Sequence, residues 1–344
     1  MTFSIVVPVH NGEKFIRESV ESALVQNFEG DLEIVIVENG SSDKTASICD
    51  EIAGQDNKVR VLHEGAIGLY MARQEGIKAS KGDYIVALDS DDHLDRNLLY
   101  ELAKCIKGFE EVADTVDLIF YNAADLDSKM VLNRFPFEEG KLYEGASKKV
   151  FKDLVCSGDS LNAMWIKCIR REIALLPIEK NGLNYGEDLF QTAHYIEKAE
   201  KIAYLDKALY YYRVNETSLS ATYSERYMEN QKFVWSEVDK LSDSWQDSNY
   251  KTMLDLRKAL TCTINVAKII YSDLKDSEKS AMLQAFMEDS FYKKYALRNL
   301  PKWAPEESIF VHGLMKQDNA FAALMANARK SSIKRKIKKF LGKK

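Results

Sequence analysis

The 344-residue sequence has few of the features that mark disulfide-rich, zinc-binding or membrane-spanning proteins. Its five cysteines show no CxxC spacing, which argues against a disulfide framework and a zinc site and favours buried free thiols. It lacks any run of about 18 apolar residues that could span a bilayer. Met1 leads directly into a strand-like segment without a basic flank, so we expect no signal peptide and a cytoplasmic protein.

Basic residues are unevenly distributed along the chain. Residues 329–344 carry nine Lys or Arg and no acid, so against a total of −5 the rest of the chain has a formal charge of −14. An acidic body is a poor surface for nucleic acid, because phosphate contacts need a basic patch. The tail places Ile333, Ile337, Phe340 and Leu341 on one helical face among lysines. This pattern is typical of helices attracted to anionic lipid, with a solvated, frayed terminus as the alternative.

Strand and helix signals alternate over roughly the first third of the chain. Apolar runs predict strands at 3–9, 32–38, 59–64, 84–89 and 116–123, and helical spacing predicts helices at 11–26, 46–52, 68–79 and 97–107. Such alternation implies a mostly parallel sheet with helices on both faces. Beyond about residue 215 only helical periodicity remains, so we predict an α/β domain followed by an α-helical C-terminal region.

Acidic residues are crowded at the end of the predicted fourth strand. The stretch YIVALDSDDH runs from a buried strand into Asp89, Asp91 and Asp92. In an open parallel sheet the loops after the strands converge on one crevice, so this loop should meet PVHNG and VENGSSD. Crowded carboxylates repel one another unless a cation compensates, and Mg²⁺ or Mn²⁺ favours such oxygen ligands. A metal bound to a substrate diphosphate would explain the crowding, and an acidic solvated turn is the alternative.

Several segments together resemble family 2 glycosyltransferases in order and spacing. They are PVHNGEKFIRESVESALVQN, VIVENGSSDKT, AIGLYMARQEGIKASKGDYIVALDSDD, NYGEDLF and LYYYRVNETSLSA, which cover about residues 1–220. The resemblance implies a GT-A fold, the Rossmann-like, mostly parallel α/β sheet of nucleotide-diphospho-sugar transferases. It also implies inverting transfer of a sugar, with a UDP-sugar as the favoured donor. We therefore divide the chain into a glycosyltransferase domain (1–220), a helical domain (221–328) and a basic amphipathic tail (329–344).

The same resemblance implies roles for individual residues. Asp91 and Asp92 would hold Mn²⁺ or Mg²⁺ on the diphosphate, and Asp188 would take the acceptor proton, with Glu187 beside it. The residues implied around the nucleotide are Pro8, Val9, His10, Asn11, Glu38, Asn39, Arg73, Asp89, Ser90 and Arg213. Arg213 and Ser218 would close over the diphosphate. Plainer interpretations are a surface helix position for Arg73 and helix N-terminal acids for Glu187 and Asp188.

The loop VENGSSD departs from the family's usual VDDGSTD. Glu38 stands in place of the first Asp, which normally accepts a hydrogen bond from the base, and Asn39 in place of the second. One methylene moves a carboxylate by about 1.5 Å, which changes the base edge that it reaches. Trp165 and the tyrosines 210–212 could stack on a sugar or pack in the core.

Other classes of protein remain as alternatives. A nucleotidyltransferase would need a Gly-rich basic first loop, and VHNGEKF supplies only Lys14; a dehydrogenase would need GxGxxG, which is missing there. A binding protein that has lost catalysis is favoured by Glu38 and Asn39 but opposed by the intact LDSDD and GED. We predict a metal-dependent glycosyltransferase that acts on a saccharide or lipid-linked acceptor in surface polysaccharide synthesis. Its basic tail favours a peripheral position on the inner face of the cell membrane.

Overall fold

The computed structural model describes residues 1–111, 114–214 and 224–340, with side chains as far as residue 331. The chain divides into two compact units, Met1–Val155 with Asp159–Asn215 and Cys156–Gly158 with Glu216–Lys344. Ser218 and the predicted domain boundary after residue 220 lie outside the described residues.

Strands and helices alternate through the first unit. The described strands are β1 (Thr2–Val9), β2 (Asp31–Asn39), β3 (Val59–Glu64), β4 (Tyr84–Ala87), β5 (His93–Leu94), β6 (Leu118–Asp125), β7 (Lys167–Arg170) and β8 (Ile202–Tyr212). The helices are α1 (Ile16–Leu24), α2 (Thr45–Gln55), α3 (Leu69–Ala79), α4 (Leu98–Glu110), α5 (Lys149–Ser157), α6 (Arg171–Ala174) and α7 (Glu187–Lys198). The strands form one sheet in the order β3-β2-β1-β4-β7-β6-β8-β5.

The predicted α/β class is confirmed, although the parallel pairing of β6 with β8 includes a strand, β8, that the sequence did not predict. β1 pairs in parallel with β2 and β4, and β2 with β3. β7 runs antiparallel to β4 and β6, and β5 antiparallel to β8. Neither β5 nor β7 was predicted, because strands of two and four residues are too short to show a periodic pattern.

The central strands are buried on both faces of the sheet. In β1 every residue from Phe3 to Val9 is buried, and in β2 the same holds from Ile34 to Asn39. This explains their continuous apolar runs, which are typical of parallel strands covered by helices. Helix α3 lies close against the sheet, since a Cβ added at Gly76 would stand 2.4 Å from Val6 Cγ1.

Helix α1 begins later than predicted. The sequence pattern placed its start near Asn11, whereas the helix runs from Ile16 to Leu24. Asn11 has a left-handed backbone with φ 53°, which breaks helical continuity at that point. Residues 10–15 therefore form a loop after β1, and this loop becomes part of the site below.

The second unit is α-helical in its described residues, as the sequence predicted. Its helices are α8 (Tyr227–Ser244), α9 (Ser248–Tyr271), α10 (Asp276–Glu288), α11 (Ser290–Tyr295), α12 (Glu306–Met315) and α13 (Ala320–Phe340). Its core joins Val266 and Ile270 of α9 to Leu283, Val311 and Leu324 of three other helices.

The predicted start of the basic tail at residue 329 lies within α13. The side chains assigned to its apolar face lie outside the described residues. Among the described helices, none has both the length and the apolar character needed to cross a bilayer. All five cysteines are free thiols, and Cys105 alone is not fully buried.

Candidate functional site

Three loops meet at the carboxyl edge of the parallel strands, where the sequence placed them. The loop after β1 is tied to the loop after β2, because the Asn11 backbone N–H donates to Ser41 Oγ at 2.9 Å and Asn11 Oδ1 accepts from Ser42 N at 2.8 Å. The loop after β4 joins them through Ser19, whose hydroxyl donates to the Asp89 carbonyl at 3.1 Å. These contacts define one polar crevice.

Only half of the predicted first loop faces this crevice. Pro8 and Val9 are the last residues of β1, and both are buried in the sheet. The sequence placed them in the loop because a strand end cannot be fixed to the residue by pattern alone. His10 and Asn11 are exposed there, and His10 Nδ1 lies 3.0 Å from the Asn39 carbonyl oxygen.

Glu38 and Asn39 are buried and already hold the loops around them. Glu38 Oε1 accepts a hydrogen bond from Ser41 N at 2.6 Å, and Asn39 Oδ1 accepts one from Ile67 N at 2.9 Å. The sheet register aligns Glu38 with Val9 on one side and with His63 on the other. The two departures from the family pattern therefore stand at the crevice and help to shape it.

The LDSDD loop contains two carboxylates with different surroundings. Asp92 is buried and accepts hydrogen bonds at both oxygens, from Tyr210 Oη and from Arg213 N, each at 2.7 Å. Burial and the nearby Asp89 carboxylate raise the pKa of Asp92 to about 8. The pairing of Asp91 and Asp92 as metal ligands stays a prediction, and each oxygen of Asp92 already accepts one hydrogen bond from the protein.

Asp91 is half-buried, and its carboxylate has no hydrogen-bond or ion-pair partner among the described residues. Arg213 lies over this loop. Its Nε donates to the Asp91 carbonyl at 2.8 Å, and its Nη2 donates to Glu18 Oε2 at 2.8 Å. The Arg213 guanidinium also stacks 4.5 Å from the ring of Phe15. Ser90, between the acids, is half-buried as well.

A close backbone approach brings α3 to the segment that leads into α7. Gly68 has φ 95°, and an added Cβ would stand 2.9 Å from Gly182 Cα. The approach is fixed by hydrogen bonds from Gly182 N to Ile67 O at 2.7 Å and from Leu69 N to Asn184 Oδ1 at 2.8 Å. Glycine is needed here because the left-handed backbone and the short separation leave no room for a side chain. The contact places α3 beside the start of α7.

Arg73 of α3 is buried and joins three acids. Its Nη1 donates to Asp188 Oδ1 at 2.7 Å and lies 3.7 Å from Glu187 Oε1, while its Nη2 donates to Asp89 Oδ1 at 3.1 Å. With 2% of its side chain exposed, the surface interpretation of Arg73 is wrong. Although burial opposes the charged form, the three carboxylates raise the pKa of Arg73 above its ordinary value. Arg73 Nε is buried without a hydrogen-bond partner among the described residues.

The two acids at the start of α7 differ in exposure. The Asp188 side chain is 30% exposed and that of Glu187 is 9% exposed. Burial, followed by the adjacent Asp188, raises the pKa of Glu187 to about 8 although Arg73 opposes the shift. Glu187 thus favours its protonated form near neutral pH, while Asp188 can be reached from the crevice. Among the described residues, no group of three or more His, Cys, Asp or Glu side chains forms a ready-made metal centre.

The aromatic residues near the acids are largely packing residues. Tyr210 is fully buried, and its ring stacks on Trp165 at 4.7 Å. Trp165 also stacks on Tyr212 at 5.8 Å and is itself half-buried. The hydroxyl of Tyr210 links Asp92 to the backbone N–H of Asp89. Sequence analysis missed this link, which could have been found only from the pairing of β8 with β5 beside the LDSDD loop.

His63 is the second residue that sequence analysis missed. It was set aside because the histidines show no metal-binding spacing. The signal that could have found it is its place at the carboxyl end of the third strand, beside Glu38. Lys167 was missed as well. It is buried near the site, and its Nζ donates to Leu161 O at 2.6 Å and Asn162 O at 3.1 Å, which fixes the loop before Trp165.

Comparison with known proteins defines the class of this site. The model of the family described as "Glycosyl transferase family 2" matches residues 4–158. Glycosyltransferase GlyG of Streptococcus pneumoniae serotype 4 is 31% identical over 224 residues, which are 64% of this chain and 73% of GlyG. EpsJ of Bacillus subtilis, an uncharacterized glycosyltransferase, is 29% identical, and the alignment spans 63% of this chain and 62% of EpsJ.

The fold has a counterpart among solved structures. The Staphylococcus aureus TarS 1–349 structure in complex with UDP-GlcNAc superposes with a TM-score of 0.53 at 18% identity, covering 100% of this chain and 93% of that one. This likeness shows that the chain has a GT-A fold. The chain belongs to glycosyl transferase family 2, whose members transfer sugars with inversion.

Proposed function

We propose that the crevice binds a nucleotide diphosphate sugar, with UDP-sugars favoured, and transfers the sugar to a hydroxyl of a saccharide or lipid-linked acceptor. The observation that carries this proposal is that the Arg73 guanidinium pairs with two acids, Asp89 after β4 and Asp188 of α7. One acid belongs to the loop expected to face the donor diphosphate, and the other can face the acceptor. The spacing of the two half-sites is thus set by a single planar group.

Asp188 is the proposed general base. In an inverting displacement the acceptor oxygen forms a bond to the anomeric carbon while the bond from that carbon to the diphosphate oxygen breaks. The acceptor proton passes to Asp188, and the negative charge leaves with the nucleotide diphosphate. Asp188 supports this role because its carboxylate is partly exposed and is oriented by Arg73. Glu187, nearly buried and with a raised pKa, is proposed to support Asp188.

Asp91 is the proposed protein ligand of Mn²⁺ or Mg²⁺. Such ions keep several waters and need only one or two carboxylates in addition to substrate phosphate oxygens. The Asp91 carboxylate has no hydrogen-bond or ion-pair partner among the described residues, which supports this assignment, whereas Asp92 is proposed to hold the loop through Tyr210 and Arg213. A divalent cation bound there would neutralise charge on the leaving diphosphate. Asp89, His10, Asn11, Ser90 and Arg213 are proposed to line the donor side, and Glu38 and Asn39 are proposed to face the nucleobase.

We expect UDP to raise the melting temperature of the protein only when Mn²⁺ or Mg²⁺ is present, because the ligand stabilises by RT ln(1 + [L]/Kd). Asp91→Asn should abolish most of this increase, while Asp127→Asn provides a matched control on an exposed acid elsewhere in the first unit. Differential scanning fluorimetry with UDP, with and without EDTA, measures the effect. An equal shift in EDTA, or a wild-type shift in Asp91→Asn, would remove Asp91 from metal binding.

Relatives support a polysaccharide acceptor. A minor teichoic acid biosynthesis protein of Bacillus subtilis, GgaA, is 28% identical over 138 residues, which are 39% of this chain. We propose an acceptor of the same general kind, a growing surface polymer or its lipid-linked precursor. Radiolabelled transfer from UDP-sugars to lipid-linked saccharides, compared with water-soluble oligosaccharides, would identify the acceptor class.

The basic tail is proposed to attach the enzyme to anionic lipid. Each Lys or Arg near such a surface contributes about 1 kcal/mol. We expect deletion of residues 329–344 to abolish sedimentation with vesicles rich in phosphatidylglycerol, and to leave donor hydrolysis in solution unchanged. Neutral phosphatidylcholine vesicles are the control. Binding that survives the deletion, or that does not weaken with salt, would refute the tail as the anchor.

A further inference from the structure

We propose that His63 is a positioning residue for recognition of the nucleobase, and that it acts by holding the Glu38 carboxylate in a charge-paired chain with Asp50. The inference rests on the proposed function, because it takes Glu38 to be the acid that meets the base. It adds to the donor site a residue of β3, which lies at one end of the sheet order.

The sheet register places the two residues side by side. Glu38 is the partner of His63 in the parallel pairing of β2 with β3, so the two side chains project from adjacent strands at the carboxyl edge. His63 Nδ1 lies 3.6 Å from Glu38 Oε2, and His63 Nε2 lies 2.8 Å from Asp50 Oδ1 on α2. Both ring nitrogens thus face carboxylates, an arrangement that fixes the orientation of the ring.

Glu38 has one oxygen held by the backbone and one that depends on His63. Oε1 accepts a hydrogen bond from Ser41 N at 2.6 Å, whereas Oε2 lies against His63 Nδ1. The Glu38 side chain is 6% exposed, so its charge has little help from water. A protonated His63 would balance that charge and keep the carboxylate in one rotamer. Without it, Oε2 would be a buried oxygen lacking a cation, and the carboxylate could rotate about its last bond.

The surroundings of His63 favour its charged form. The hydrogen bond to Asp50, with the further contribution of Glu38, raises the pKa of His63 above its ordinary value of 6.5. The groups that face it are Glu38 from β2 and Asp50 from α2, both acids. The neighbouring Cys49 thiol has a pKa raised to about 12 by burial and by the same acids, so it remains neutral. The His63 side chain is 46% exposed, so protons reach it from solvent.

A pH dependence follows from these contacts. Because the folded-state pKa of His63 is raised, the charge pair is complete at mildly acidic pH and is lost as pH rises through that pKa. Affinity for a ligand that contacts Glu38 should therefore fall as pH rises through this raised pKa. A half-exposed ion pair contributes modestly, so we expect a change of about two- to fivefold in Kd. A ligand that touches only the metal and phosphate side should show the same pH dependence in wild type and in a variant that lacks His63.

The experiment is isothermal titration of UDP and of inorganic pyrophosphate, both with Mg²⁺, at about pH 6 and about pH 8.5. His63→Gln keeps a hydrogen-bonding side chain but no charge, and should weaken UDP binding by about two- to fivefold at the lower pH and leave it unchanged at the higher pH. Pyrophosphate affinity should match wild type at both. His63→Lys keeps a permanent charge at a half-exposed position, so the ratio of its UDP affinity to that of His63→Gln should be the same at both pH values.

The titration of His63 itself provides a second measurement. In ¹H–¹³C NMR spectra, the signal of His63 is the one lost in His63→Gln, and its pKa should fall in Glu38→Gln and in Asp50→Asn. Unchanged pKa values in both variants would overturn the chain of contacts. Equal weakening of UDP at both pH values, or parallel weakening of pyrophosphate, would overturn the positioning role. Wild-type protein that binds UDP no differently from His63→Gln overturns this inference alone, whereas wild-type protein that binds no nucleoside diphosphate overturns the proposed function.

Discussion

Replacement of Asp188 by Asn is expected to lower the rate of sugar transfer by about two to four orders of magnitude while donor binding stays close to wild type. Asn keeps the shape of the side chain and an oxygen that can accept the hydrogen bond from Arg73 Nη1. It cannot take a proton, so the acceptor hydroxyl must attack without its base. Single-turnover transfer from a UDP-sugar measures the rate, and titration with UDP and Mn²⁺ measures donor binding.

Glu187→Gln is the matched control for this prediction. Since burial raises the pKa of Glu187 to about 8, Gln resembles the form that predominates near neutral pH. Its rate of transfer should therefore fall by less than about tenfold. If Glu187→Gln loses the larger share of the rate and Asp188→Asn does not, the base is Glu187. If UDP affinity falls together with the rate in Asp188→Asn, the start of α7 belongs to the donor pocket.

The sequence predicts the carboxyl edge of the sheet well because burial there leaves a strong local signal. β1 to β4 are apolar runs that end in polar loops, and parallel pairing sends those loops to the same edge. The positions of Glu38 and Asp91 follow from this geometry without any knowledge of side-chain contacts. The family resemblance adds the chemistry, but the placement has a physical basis of its own.

The link between the two halves of the site could not be predicted in the same way. Arg73 and Asp188 are 115 positions apart, and the local sequence around one of them does not indicate a contact with the other. Helix α3 also gives no clear apolar stripe, because its buried residues include Arg73 and Gln74. Gln74 is buried through paired hydrogen bonds, accepting from Leu176 N at 2.7 Å. Polar residues paired across long sequence distances look like surface residues in a sequence, and this is why Arg73 could be interpreted as one.

The role of Asp92 illustrates a second limit. The spacing of LDSDD cannot show which acid accepts hydrogen bonds from the rest of the protein. The donors to Asp92 are Tyr210 and Arg213, more than a hundred residues later in the chain. Those partners lie on β8 and just after it, and β5 pairs with β8 over only two residues. Such a short strand is formed by the fold around it, since its own sequence has too few residues to specify a strand.

The second large effect is expected at Arg73. Arg73→Gln should lower the free energy of unfolding by about 3–5 kcal/mol, since removing one member of a buried ion cluster leaves the others without compensation. Here the remaining carboxylates are Asp89 and Asp188, at 3.1 and 2.7 Å from the guanidinium nitrogens, and the Glu187 carboxyl group lies at 3.7 Å. Arg73→Lys keeps the charge but cannot donate to Asp89 and Asp188 from two nitrogens of one plane. It should recover most of the stability while transfer remains at least about tenfold below wild type, because the two half-sites are no longer aligned.

The pH dependence separates this electrostatic effect from a simple packing defect. A carboxyl group whose folded-state pKa is raised stabilises the fold in its protonated form, so Glu187 contributes stability below its ordinary pKa of 4.5 and loses it as pH rises to about 8. Arg73 lowers the pKa of Glu187, and its removal should raise that pKa further. The deficit of Arg73→Gln in free energy of unfolding, relative to wild type, should therefore grow above about pH 8, by up to about 1.4 kcal/mol per pH unit until the new pKa is reached.

Urea unfolding of wild type, Arg73→Gln and Arg73→Lys across this range provides the test. A deficit that is the same at every pH would assign the loss to packing, and a deficit below about 1 kcal/mol throughout would mean that the three acids do not depend on Arg73.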